Sequence, residues 1–183
     1  MPTAEEYARR GEALAAEGRW DEAEENFKNA RQLDPASPDL AFNQGLACLK
    51  DGRPLDAKNL FLEALRLGTE APDLLCNLGL AWFELGKSDQ ARRFYERALE
   101  LDPAHAEALN NLGVLMFQAA RYARARELFE AAVSAKDDYY DAWFNLRDTY
   151  DELMAAGDTD AGTLASRDRA AERVHKLGPG KGH

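Results

Sequence analysis

Small, apolar and polar positions along the chain return with a period of 34 residues. In frames that start at Ala4, Pro38, Pro72, Ala106 and Tyr140, the eighth place holds Gly11, Gly45, Gly79, Gly113 and then Arg147. The twentieth place holds Ala23, Ala57, Ala91 and Ala125, and the twenty-seventh Ala30, Ala64, Ala98 and Ala132. Between them, the twenty-fourth is aromatic: Phe27, Phe61, Tyr95 and Phe129. Small residues at three places let two helices approach closely, and one ring per frame fills the gap beside them. Gly18, Gly52 and Gly86 fall midway through their frames, where a helix ends and the chain turns. Pro35, Pro38, Pro72 and Pro103 fall between frames, and a first helical position accepts proline. The pattern predicts helix A, a turn, helix B and another turn in each frame. One such hairpin cannot bury its apolar face alone, so the expected fold is all-α and stabilised by stacking of neighbours.

The third frame carries Leu75, Leu78, Gly79, Trp82, Ala91, Tyr95 and Pro103. This resembles the tetratricopeptide repeat, and four frames match it well while a fifth matches in part. The resemblance implies a right-handed superhelix (solenoid) of about five antiparallel helix-turn-helix repeats. A single domain over 1–177 would hold repeats at 4–37, 38–71, 72–105 and 106–139, then an atypical capping hairpin at 140–177. In that last frame Arg147 replaces the glycine and Asp148 and Asp151 add polarity. The segment 157–163 delays helix B, and Leu177-Gly178-Pro179 ends it about eight residues late. Residues 178–183 are expected to be a flexible tail.

The sixth place holds Arg9, then Asn43, Asn77, Asn111 and Asn145. At about 100° per residue it points away from the stripe that faces helix B, together with the second, ninth and thirteenth places. The family resemblance turns this outward face into the floor of a concave groove. The second place is acidic in every frame: Glu5, Asp39, Asp73, Glu107 and Asp141. The ninth is Glu12, Leu46, Leu80, Val114 and Asp148, an aliphatic track with acids at both ends. Phe42, Leu49, Phe83, Phe117 and Phe144 lie near it. An asparagine amide matches the C=O and N–H of an extended peptide, each bond contributing about 1 kcal/mol net. The column resembles the asparagine ladder of O-linked N-acetylglucosamine transferase, with no trace here of a transferase domain. The expected ligand is a protein or peptide segment with apolar and basic residues. Three structural alternatives stay open. The amides can bridge adjacent A helices, the acids can favour the helix dipole, and the leucines can be covered by a neighbouring helix.

Composition narrows the function classes. The 183 residues are 45% hydrophobic and 31% charged, with a net charge of −10. Phosphate binding needs a basic stripe, so nucleic acid is not an expected partner. No stretch approaches the roughly 20 apolar residues of a membrane helix, the first residues carry no secretory signal, and a cytoplasmic location is expected. Cys48 and Cys76 make no disulfide framework, and Cys48 is expected in the core. No cofactor or metal is expected: His105, His175 and His183 lack ligand spacing. Asp158, Asp160 and Gly162 do not continue into a calcium loop, and Gly180-Lys181 is no phosphate loop. Catalysis is therefore not expected. A subset of the family clamps terminal carboxylates with lysine and arginine, but acids occupy the second places here. Self-assembly into a homo-oligomer through repeat ends or groove is the rival to peptide capture.

Overall fold

A computed structural model describes residues 1–68 and 70–178. From residue 179 on, the expected tail, Gly180-Lys181 and His183 lie outside the described residues. Ten helices and no strand occur among the described residues. They are α1 (Ala4–Ala16), α2 (Trp20–Leu33), α3 (Pro38–Lys50), α4 (Pro54–Arg66), α5 (Pro72–Glu84), α6 (Ser88–Leu101), α7 (Ala106–Gln118), α8 (Tyr122–Ala135), α9 (Tyr140–Ala155) and α10 (Ala161–Leu177). This is an all-α helical repeat fold with five hairpins. The odd-numbered helices begin at Ala4, Pro38, Pro72, Ala106 and Tyr140, the residues that open the sequence frames.

Local chemistry sets these starts. Thr3 caps α1 in a reciprocal box with Glu6, and Ser37 caps α3 by accepting from the Leu40 N–H. His105 does the same for α7 with its ring nitrogen, and Asp160 for α10 with its carboxylate. Pro38, Pro54 and Pro72 occupy first helical positions.

The A-to-B turns share one geometry. Gly18, Gly52 and Gly86 have φ of +74°, +74° and +71°. The N–H of the next residue then donates to the carbonyl five residues back, as in Arg19 to Leu14 and Lys87 to Trp82. Ala120 takes the same place in the fourth hairpin with φ of +54°, where a Cβ is disfavoured. Replacing Ala120 with glycine is expected to stabilise the chain by about 1 kcal/mol, read as a rise in Tm of about 2–4 °C.

The chain divides into two compact units, 1–94 and 95–183, and the division falls within α6. In unit 1, α1 packs on α2, α2 on α3, α3 on α4 and α4 on α5, and α3 also touches α5. Its core joins Ala41, Cys48, Leu49, Phe61, Leu74 and Leu78. A Cβ on Gly11 would meet Phe27 at 2.8 Å, and one on Gly45 would meet Phe61 at 2.7 Å. The aromatic of helix B thus packs directly on a helix A stripped of its side chain. In unit 2, α7 packs on α8, α8 on α9 and α9 on α10, and α7 also touches α9. Gly113 and Phe129 repeat the close approach, at 2.6 Å.

The fifth hairpin differs from the others in length. Helix α9 runs 16 residues against 13 for the other A helices, its turn glycine is Gly157, and α10 runs 17 residues. Arg147, at the glycine place, lays its guanidinium over Phe144 at 4.3 Å and pairs with Asp148 at 2.6 Å. Asp158 and Asp160 are used internally: Thr163 donates its hydroxyl to both, and Asp160 also accepts from the Gly162 and Thr163 N–H groups.

Candidate functional site

In unit 1 the candidate residues stand on α3 and α5, which touch each other. Asn43 is half-buried and makes no side-chain hydrogen bond among the described residues. Asn77 is half-buried and donates to the Asp73 carbonyl of its own helix at 2.8 Å, a bond that does not use its side-chain oxygen. Leu46 and Leu80 are half-buried and pack against the unit's core from its edge, so the aliphatic track is less open than its outward face implied. Two A helices in contact cover the flanks of their ninth-place residues. Phe83 is half-buried, and Phe42 leans on Phe61 with ring centroids 5.7 Å apart. Asp39 and Asp73 are exposed in the first turns of their helices, where acids also suit the positive helix end.

In unit 2 the amides are joined to one another. Asn145 on α9 donates to the Asn110 side chain on α7 at 2.9 Å, and Asn110 donates to Asn111 at 3.3 Å. Asn110 is buried, so this chain of amides satisfies a polar group that desolvation would otherwise penalise. The sequence column did not include Asn110. Its place, the fifth, holds Ala8, Phe42, Cys76 and Phe144 in the other frames and so shows no periodic signal. Val114 and Phe117 are half-buried, and Phe117 meets Tyr122 edge-on at 5.3 Å. Glu107 accepts from Lys136 at 3.2 Å, and Asp141 is exposed.

The thiol of Cys48 is buried and pushed up to about 11 by desolvation, which makes it a poor nucleophile. Among the described residues no group of three or more His, Cys, Asp or Glu is placed to hold a metal ion. Nor is any described helix long and apolar enough to cross a membrane.

The tight glycine–aromatic contact, recurring in three hairpins, is the packing signature of one repeat type. A family model for the tetratricopeptide repeat matches residues 8–72, 49–103 and 76–141. The chain belongs to the tetratricopeptide repeat family. Solved structures of such repeats superpose along most of its length. MamA is 23% identical with a TM-score of 0.75, covering 91% of this chain and 95% of that one. YrrB, described as a TPR protein with an unusual peptide-binding site, is 24% identical with a TM-score of 0.68, covering 93% and 87%. The first tetratricopeptide domain of Spaghetti (RPAP3), bound to the HSP90 peptide SRMEEVD, is 28% identical with a TM-score of 0.62, covering 64% and 94%. Among curated proteins, none matches the chain.

Proposed function

We infer that this tetratricopeptide repeat protein is a non-catalytic interaction scaffold that holds an extended segment of a partner protein against its A helices. The observation that carries the reading is the Asn43 amide, half-buried on α3 and bonded to no described residue. A half-desolvated amide with one acceptor and two donors gains most when a peptide main chain supplies both bonds. Asn77, with its oxygen unused by the Asp73 bond, extends the row on α5. Leu46 and Leu80 offer apolar contact along the same faces. The peptide-binding site named for YrrB and the peptide bound to the RPAP3 domain support capture of an extended ligand by this architecture.

Charge indicates what the segment carries. SRMEEVD is acidic, whereas Asp39, Asp73 and Asp141 stand exposed here at second places. A net charge of −10 adds long-range attraction for cations. The ligand is therefore a segment with lysine or arginine among aliphatic residues. Selection from a library of random ten-residue peptides tests this. Enrichment of basic and aliphatic residues, with binding that weakens as salt rises, is the expected result. Enrichment of acidic peptides, or none, would contradict it. A chain that bound only its own copies would instead favour self-assembly.

A further inference from the structure

The amides of unit 2 are spent on one another, and a single residue accounts for it. Asn145 on α9 donates to the Asn110 side-chain oxygen at 2.9 Å, and the Asn110 amide donates to Asn111 at 3.3 Å. Asn110 is buried, whereas Asn111 and Asn145 are half-buried. Asn145 and Asn110 lie 35 residues apart, and the same step back from Asn77 in unit 1 leads to Phe42. A phenyl ring has no oxygen to accept from an amide, and Asn77 donates to the Asp73 carbonyl of its own helix instead.

The rest of the face is alike in the two units. Val114 holds the place of Leu46 and Leu80, and Phe117 holds the place of Phe83. Asp141 is exposed at its second place, as Asp39 and Asp73 are at theirs. Helices α7 and α9 touch, as α3 and α5 do. Magnitudes decide whether a peptide main chain takes the unit 2 amides. One net hydrogen bond to Asn145 is worth about fivefold in affinity, but it leaves the buried Asn110 oxygen unpaired, at a cost of about 30-fold. The internal bond wins.

We propose that Asn110 restricts main-chain capture to unit 1, by holding the unit 2 amides in an internal latch that a peptide must break. The restriction rests on the peptide-capture reading of unit 1 and adds a stoichiometry to it: one short peptide per chain. Replacing Asn110 removes the buried polar group, so the Asn145 N–H and the Asn111 oxygen can turn to a ligand at no interior cost. Alanine and cysteine already hold this place at Ala8 and Cys76, so the repeat accepts both. Calorimetric titration of the full chain with a selected basic, aliphatic ten-residue peptide tests it, with thermal melts in parallel. The parent should bind one peptide. Asn110→Ala and Asn110→Cys should bind two, the second with a Kd within about tenfold of the first. Asn111→Ala/Asn145→Ala should leave the parent's affinity unchanged within about twofold, while Tm falls by about 4 °C because Asn110 loses its partners. A single site in both Asn110 variants would overturn the proposal and leave capture by unit 1 standing. So would two sites in the parent, or a loss of affinity in Asn111→Ala/Asn145→Ala. No binding by the parent would overturn capture and restriction together.

Discussion

Gly113→Val is expected to lower the unfolding free energy by about 2–3 kcal/mol, measured by denaturant titration. On helical propensity alone the change should help, because glycine is the poorer helix former by several tenths of a kcal/mol. Packing decides against it. A Cβ at this position would sit 2.6 Å from Phe129 Cε1 and 2.8 Å from its Cδ1. The Phe129 ring is completely buried, as are Ala125 and Ala132 beside it on α8, so it has nowhere to go. Valine adds two methyl groups to the clash and a single preferred rotamer in a helix. Phe129→Leu in the same chain should recover part of the loss, giving an interaction energy of about 1 kcal/mol in a double-mutant cycle. A Gly113→Val chain within about 0.5 kcal/mol of the parent would mean that the ring moves freely, and the glycine–aromatic account of the repeat would fail.

That account was legible in the sequence because its cause is local and recurs. A helix start needs a cap or a proline, an αL turn needs glycine, and a close helix contact needs a missing side chain. Each requirement leaves a residue at a fixed place in the period. Ala120 shows the rule from the other side: the fourth hairpin keeps the positive φ without the glycine, and its helices end where the others do. Arg147 was legible as a departure but not in its consequence. Long and flexible, it leaves the helix interface and lies across Phe144 instead.

The candidate site was legible only in part. The period placed four asparagines on one helical face, but partners of a polar side chain depend on neighbours that carry no periodic signal. Asn110, present in one frame only, links Asn145 to Asn111 and makes the unit 2 amides members of an internal network. In unit 1 the corresponding fifth places are Phe42 and Cys76, neither of them an amide, and Asn77 bonds within its own helix instead. The same column thus has two environments, and one sequence pattern cannot separate them. The aliphatic track was likewise placed on its face by the period, while its half-burial arises from contact between neighbouring A helices.

Capture of a peptide main chain by the unit 1 amides is the central claim, and the paired variant Asn43→Ala/Asn77→Ala tests it most directly. Each lost hydrogen bond is worth about 1 kcal/mol, so the pair should weaken a selected basic, aliphatic peptide about 30-fold by fluorescence anisotropy. Stability should hold or rise in the same variant, because alanine is the better helix former and neither amide bonds to another helix among the described residues. An affinity within about twofold of the parent chain, at unchanged Tm, would contradict the claim.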